Sequence, residues 1–190
     1  MKTKGKLIAV DLAEIAIFTA LMVAGAYISI PFYPVPLTFQ TVIAVTAGLT
    51  LGWKKGSISM LVYLFMGFVC FIPVFADHSL AGFAYAVKPS FGYIIGFVVS
   101  AFTGGIIAGE NRSLKRYVFA GVCAFLADYA VGIPYFAVCW HFLNGDALLG
   151  SAVVTYNILY MPKDLILCIL SGMLAKRISP YTNKNLLNRS

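Results

Sequence analysis

The sequence predicts an all-α integral membrane protein, a single membrane domain over residues 1–190 with six transmembrane helices. Three observations support this fold class. Hydrophobic residues make up 61% of the chain and charged residues only 11%, whereas soluble domains carry about 25% charged residues. Apolar segments recur along the chain, and most are long enough to cross about 30 Å of hydrocarbon. Basic residues cluster in alternate connections, as expected if the chain crosses a bilayer repeatedly.

Six apolar segments are the predicted spans, and the second is short enough to be tilted or to lie partly against protein. The spans are about 7–30, 38–53, 57–75, 91–109, 117–142 and 151–175. Residues 75–89 are too many for a simple turn and too apolar for a solvated loop, so they predict a lid over an outward-facing ligand pocket. Residues 179–190 are predicted to form a cytoplasmic tail.

The basic residues predict that both termini are cytoplasmic. There are 14 Lys and Arg against 7 Asp and Glu, and all but two of the basic residues lie before the first span, after the last, or in the second or fourth connection. An excess of Lys and Arg marks the cytoplasmic side. The net charge of +7 therefore indicates topology and a lipid bilayer as partner, and no nucleic acid. Lys88 and Lys163 are the two exceptions, and orientation does not explain them.

The first span combines acidic residues with small ones. Asp11 and Glu14 lie near its start, where carboxylates suit a helix N-terminus. Ala16, Ala20 and Ala24 recur at a spacing of four and therefore lie along one helical face. Small residues allow another helix to approach closely in lipid. This alanine face (Ala16, Ala20 and Ala24) predicts either packing against a neighbouring span or docking of a partner membrane protein.

Charged residues also lie inside apolar segments. Pro162, Lys163 and Asp164 follow one another near the middle of the last span. A charged side chain at a helix centre costs about 2.5–3.5 kcal/mol, so such groups usually face a protein interior or a wet cavity. Asp128 lies near mid-membrane in the fifth span, and we expect Tyr hydroxyls or Lys163 to be its partner.

A few polar groups in an apolar cavity are typical of small-molecule sites. An outward-open pocket lined by Thr38, Gln40, Lys88, Tyr93, Lys163 and Asp164 fits this pattern, and Phe39, Phe91, Tyr93 and Tyr135 could hold an apolar body. Thr38 and Gln40 also fit a simpler interpretation, a helix cap and one satisfied amide. A lysine can pair with a ligand carboxylate, and an aspartate can accept N–H donors from a urea or amide.

The sequence offers no catalytic centre, metal site or cofactor site. His78 and His141 are the two histidines and form no HExxH motif, and the four cysteines lie in apolar spans without metal-type spacing. No Gly-x-Ser-x-Gly elbow, Walker motif or glycine-rich phosphate loop is present. We therefore expect a protein that is not an enzyme and does not hydrolyse ATP, with an intramembrane enzyme as a minor alternative.

Four motifs resemble a known family. They are Val35–Gln40, Pro89–Phe97, Gly132–Tyr135 and Pro162–Asp164. With them the chain resembles, over nearly its whole length, the BioY family of biotin-binding S components of energy-coupling factor (ECF) vitamin transporters. The resemblance implies a subunit that captures biotin with high affinity at the outer face of the bacterial plasma membrane. Taken together, the residues and the resemblance predict a ligand-binding set of Thr38, Phe39, Gln40, Lys88, Ser90, Phe91, Gly92, Tyr93, Tyr135, Lys163 and Asp164.

The resemblance also implies partners. Members of the family pair with a transmembrane coupling subunit and two cytoplasmic ATPase subunits, and the alanine face matches their docking motif. Biotin would then be the transported ligand and not a cofactor. The alternative function is a stand-alone secondary carrier for a small carboxylate vitamin, with Asp128 or Asp164 as its proton site.

Three departures from the family pattern bear on the pocket. Phe91 replaces a glycine of the family's Pro-Thr-Gly-Gly-Tyr motif and could fill part of the pocket. Lys163 stands where the family has glycine in Pro-Gly-Asp, and Leu167 stands where it has a lysine. Lys163 and Lys88 therefore both stay candidates for the ligand carboxylate.

Overall fold

The described part of the chain is helical. A computed structural model describes residues 2–30, 35–77, 80–109, 113–145 and 149–182. Within these residues no β-strand forms, and one isolated antiparallel bridge joins Ile30 to Leu37. The helices are α1 (Lys2–Tyr27), α2 (Gln40–Leu51), α3 (Trp53–Phe68), a 3₁₀ helix (Gly82–Val87), α4 (Phe91–Ala108), α5 (Leu114–Asn144) and α6 (Leu149–Ile178).

Among the described residues, four helices are long and apolar enough to cross a membrane. These segments are Ala9–Tyr27, Phe91–Ala108, Leu114–Leu143 and Val153–Ile178. The helix α2 has 12 residues and would extend about 18 Å at 1.5 Å per residue, which is less than the hydrocarbon thickness. Nearly all of its residues are buried, and it packs against α3, α4 and α6. The second predicted span therefore lies largely against protein.

The third helix ends earlier than the predicted span 57–75. Its last residue is Phe68, and Phe71 adopts a left-handed backbone with φ 58°, which is rare for a residue other than glycine. The chain then runs without regular structure to Val74 and Phe75, which are buried in the core. The span was predicted too long because the residues after Phe68 are apolar, and apolar composition does not distinguish a buried irregular segment from a helix.

A buried ion triad joins α1 to α3. Lys55 is 1% exposed, its Nζ lies 3.0 Å from Asp11 Oδ1, and it also pairs with Glu14. Because α1 begins at Lys2, both acids lie beyond its first turn, and the expectation that they stabilise the helix N-terminus was wrong. The acids compensate a buried lysine instead.

Glycines bring α4 close to α5 beside the candidate site. A Cβ atom on Gly96 would lie 2.2 Å from Asp128 Oδ1, and one on Gly132 would lie 2.3 Å from the Tyr93 ring. Only glycine leaves room for these side chains between the helices. The packing therefore places Asp128 beside α4 and holds Tyr93 against α5.

Parts of two predicted segments lie outside the described residues. In the predicted lid 75–89 these are residues 78 and 79, and in the predicted tail 179–190 they are residues 183–190. Elsewhere in the lid, Lys88 Nζ lies 2.8 Å from Asp77 Oδ2, and Tyr135 donates a hydrogen bond of 2.5 Å to the Ala86 carbonyl. The described part of this loop is therefore fastened to α5.

Candidate functional site

A cavity lies among α2, α4, α5, α6 and the connection leading into α2. Small-molecule sites commonly combine apolar walls with a few polar groups. Aromatic side chains supply much of this wall. Six residues of the predicted binding set line it: Thr38, Gln40, Ser90, Tyr93, Lys163 and Asp164.

Asp164 and Lys163 supply the charges of the described cavity wall. Asp164 is 6% exposed, and its Oδ2 accepts a hydrogen bond of 2.8 Å from the Tyr129 hydroxyl. Lys163 Nζ lies 2.8 Å from Asp164 Oδ1, an ion pair whose angle is outside hydrogen-bond geometry. The same ammonium donates to the Thr38 carbonyl at 2.6 Å. The lysine thus ties α6 to the connection before α2 and offsets the buried carboxylate.

Thr38 and Gln40 line the cavity and also satisfy their own local hydrogen bonds. The Gln40 amide nitrogen donates to the Tyr63 hydroxyl at 2.6 Å, and Tyr63 donates to the Val74 carbonyl at 3.1 Å. The Gln40 backbone N–H donates to Thr38 Oγ1 at 3.3 Å. The Gln40 contact matches the satisfied amide of the simpler interpretation. The N-cap residue of α2 is Phe39, which makes no side-chain cap hydrogen bond, so Thr38 is not the helix cap but binds the first helical N–H from the preceding position.

Tyr93 forms part of the wall between α4 and α6. Its hydroxyl donates to Asn157 Oδ1, and the Asn157 amide donates to the Val153 carbonyl at 2.7 Å. Its ring meets Tyr129 edge to face at 5.5 Å between centroids. The two tyrosines therefore form a rigid aromatic surface with both hydroxyl groups engaged on α6.

Ser90 joins the outer loop to the cavity. Its hydroxyl donates to the Tyr85 hydroxyl at 3.4 Å, and both side chains line the cavity. Burial raises the pKa of Tyr85 and outweighs the Ser90 hydrogen bond, which lowers it. Tyr85 therefore presents a neutral phenol to the cavity.

The other five predicted residues do not line the cavity in its described part. Phe39 is 46% exposed, and Lys163 Nζ lies 5.9 Å from its ring centroid. Lys88 is paired with Asp77 in the outer loop. Phe91 is buried in the adjacent core and lies 5.9 Å from the Tyr135 ring, against which Gly92 also packs. Phe91, Gly92 and Tyr135 therefore support the wall from behind.

Asp128 has none of the predicted partners. It is fully buried, and neither carboxyl oxygen makes a hydrogen bond within the described residues. The Tyr129 hydroxyl is directed to Asp164, the Tyr93 hydroxyl to Asn157 and Lys163 to Thr38. The expectation of a tyrosine or Lys163 partner was therefore wrong.

The alanine face of α1 is not packed against another described helix. Ala16, Ala20 and Ala24 are all exposed. The helix instead packs on α2 and α3, with Asp11 and Met22 on its buried side. Of the two interpretations of this face, internal packing does not describe the structure.

The chain was also compared with known proteins. The sequence model of the BioY family matches residues 1–184. The chain belongs to the BioY family. A relative from Lysinibacillus sphaericus, named a probable biotin transporter, is 34% identical over 171 residues, covering 88% of this chain and 86% of that protein. The biotin transporter of Thermotoga maritima is 32% identical over 168 residues, covering 88% of this chain and 95% of that protein.

A solved structure has the same fold. The S-component for biotin from an ECF-type ABC transporter matches this BioY family chain with a TM-score of 0.70 and 24% identity, over 92% of this chain and 93% of that chain. The likeness establishes a fold like that of an S component. The relatives are transporters, so this BioY family chain is a multi-pass membrane protein of a transporter family and not an enzyme.

Sequence reasoning missed several residues of the wall in this BioY family chain. Tyr160 and Tyr156 line it one and two turns before Asp164, and the Tyr160 hydroxyl donates to the Val35 carbonyl at 2.6 Å. Their spacing of four places them on the same face of α6 as Asp164, so helical periodicity could have identified them. Tyr129 and Thr41 also line the wall, and no sequence signal distinguished them from ordinary core residues.

Proposed function

We propose that this BioY family protein binds biotin in the cavity between α2 and α6 and is the substrate-capture subunit of an ECF-type vitamin uptake transporter. One observation carries the proposal: a nearly buried Asp164 lies beside Lys163 in an otherwise largely aromatic cavity. A carboxylate accepts the N–H groups of a cyclic urea, and a lysine pairs with a carboxylate. The names of the relatives and of the structural neighbour support biotin as the ligand.

The geometry favours Lys163 over Lys88 as the partner of the ligand carboxylate. Lys163 lines the cavity, whereas Lys88 is held 2.8 Å from Asp77 in the outer loop. Lys163 also has a replaceable contact, because its bond to the Thr38 carbonyl involves a neutral acceptor. A ligand carboxylate would be a stronger acceptor for the same ammonium.

We further propose six spans with both termini in the cytoplasm, and a bacterial plasma membrane as the location. The distribution of basic residues supports this topology. In this orientation the cavity faces outward, and the loop 75–89 is its lid. The contacts of Tyr135 with Ala86 and of Asp77 with Lys88 would hold the lid in place.

The proposed partners are an ECF transmembrane coupling subunit and two cytoplasmic ATPase subunits. The exposed alanine face supports a docking role, because small side chains permit close helix contact in lipid. The sequence contains no ATP-binding motif, so partner subunits would supply the energy for transport. The alanine face and the cavity occupy different helices and can be tested separately.

The test uses the purified full chain in detergent and in vesicles. Isothermal titration calorimetry should detect saturable binding of biotin at one site per chain, and the absence of binding would refute the proposal. Vesicles that contain this chain alone should not accumulate biotin under a pH gradient. Accumulation in such vesicles would instead support the stand-alone carrier. The observation that favours this alternative is Asp128, which is buried without an ion pair among the described residues and could serve as the proton site.

A further inference from the structure

We infer that Asp128 is a positioning residue of the binding site, a neutral carboxylic acid that directs the hydroxyl proton of Thr41 into the cavity. Asp128 is no part of the described cavity wall, but its neighbours Thr41, Tyr129 and Asp164 are. The inference rests on the proposed function, because the group that receives the Thr41 hydrogen bond is the ligand.

The protonation of Asp128 follows from its surroundings. It is 0% exposed, and none of the described residues forms an ion pair with it. Lys163, the nearby cation of the cavity wall, is engaged by Asp164 and the Thr38 carbonyl. An unpaired buried carboxylate is costly, and the negative Asp164 nearby adds to that cost. The acid is therefore held in its uncharged form.

Thr41 has a hydroxyl that its own helix does not engage. Thr46 and Thr50 each donate to the carbonyl four residues earlier, at 2.7 Å. The corresponding carbonyl for Thr41 belongs to Leu37, which lies before α2 and accepts from Ile30 N at 2.9 Å. Within the described residues, the side chain that interacts with Thr41 is Asp128, although neither carboxyl oxygen meets hydrogen-bond geometry.

The charge state of Asp128 determines what Thr41 offers to a ligand. An ionised Asp128 would accept a hydrogen bond from the threonine O–H and leave only the lone pairs of Thr41 Oγ1 facing the cavity. A protonated Asp128 donates to Thr41 Oγ1, so the threonine O–H is free to donate into the cavity. Asp164 accepts N–H groups on the opposite helix, and Thr41 donates on α2. This combination fits a group with adjacent N–H and C=O, as in a cyclic urea.

Gly96 makes room for this acid. A Cβ atom at position 96 would lie 2.2 Å from Asp128 Oδ1 and 2.8 Å from the Asp128 carbonyl oxygen. A side chain on α4 would therefore push Asp128 out of its position behind Thr41. The close packing of α4 on α5 at Gly96 thus fixes the position of the acid.

The experiment measures biotin affinity by calorimetry for the wild-type chain and for five variants. Asp128→Leu and Thr41→Val each remove the proposed hydrogen bond at nearly constant volume, and each should bind biotin about 5- to 10-fold more weakly. Asp128→Asn should bind within about threefold of wild type, because its amide N–H still donates to Thr41. Thr41→Ser should likewise retain affinity. The double variant, Asp128→Leu with Thr41→Val, should bind biotin as tightly as the single variant with the larger loss, because the two residues act through one bond.

Three outcomes would overturn the inference. They are unchanged affinity in Thr41→Val, equal losses in Asp128→Asn and Asp128→Leu, and additive losses in the double variant. If Asp128→Leu does not fold, unchanged affinity in Thr41→Val or a loss well above threefold in Asp128→Asn still overturns the inference. A wild-type chain that binds no biotin refutes the proposed function itself, so the two failures are distinguishable.

Discussion

Replacing Asp164 with asparagine tests the centre of the proposed site. Asp164 is 6% exposed, accepts from Tyr129 at 2.8 Å and lies 2.8 Å from Lys163 Nζ. Asparagine keeps the shape of the side chain but removes its negative charge. Its N–H group is a donor and cannot accept a hydrogen bond from the ligand N–H. A hydrogen bond to a charged group contributes about 1.5–3 kcal/mol, so the dissociation constant for biotin should rise about 10- to 100-fold.

The assay is calorimetry of the purified variant in detergent, with thermal unfolding as a check of folding. Asp77→Asn is a matched control, because it removes a carboxylate from an ion pair at the outer loop and not from the cavity wall. Its affinity for biotin should stay within about threefold of wild type, as expected for a partly exposed ion pair. Equal affinities of wild type and folded Asp164→Asn would remove Asp164 from the ligand contacts and contradict the reasoning.

Three further predictions concern the cation, the docking face and the buried ion triad. Lys163→Met should weaken biotin binding about 10-fold but leave the binding of biotin methyl ester nearly unchanged, because the ester has no carboxylate. Lys88→Met should weaken biotin binding less than Lys163→Met does. If calorimetry gives the reverse ranking, Lys88 is the partner of the ligand carboxylate. Ala20→Leu should retain biotin binding but fail to co-purify with the coupling subunit, and Ala130→Leu, at an exposed alanine of α5, is its control. Co-purification equal to the control would separate the alanine face from docking. Lys55→Met leaves two mostly buried acids without their cation. It should therefore lower the free energy of unfolding, measured by urea titration in detergent, by about 3–5 kcal/mol. An unchanged unfolding midpoint would contradict this.

The fold was predictable where hydrophobicity alone determines structure. The long helices α4, α5 and α6 lie close to the predicted spans, because a continuous apolar run in lipid must form a helix to satisfy its backbone. The third span was overestimated, since the left-handed turn at Phe71 has no marker such as glycine. Lys55 was counted as an orientation signal, although its structural partners are acids more than 40 residues earlier in the sequence. Sequence patterns near Lys55 do not contain that information.

The candidate site was predictable from its charges and much less from its aromatic residues. Lys163 and Asp164 stand out because a charge inside a span needs a compensating environment. Phe91 and Tyr135 were assigned to the pocket, but they pack behind its wall, while Tyr160 lines it. An aromatic ring suits a core and a binding cavity equally well, so residue type alone cannot separate the two. An aromatic residue on the same helix face as a polar site residue, such as Tyr160 with Asp164, is the better candidate for the cavity wall.

The arrangement of charge with depth suggests how the ligand would lie. The Asp164 side chain is 8% exposed and the Lys163 side chain is 26% exposed, so the acid is the more buried of the two groups. With Asp128 uncharged, these two groups balance each other, and a ligand carboxylate adds one uncompensated negative charge. Such a charge is least costly beside the less buried group of opposite charge, which is Lys163. The neutral N–H groups can be buried against Asp164 without this cost. We therefore expect the urea end of biotin to enter first and its carboxylate to stay toward the opening.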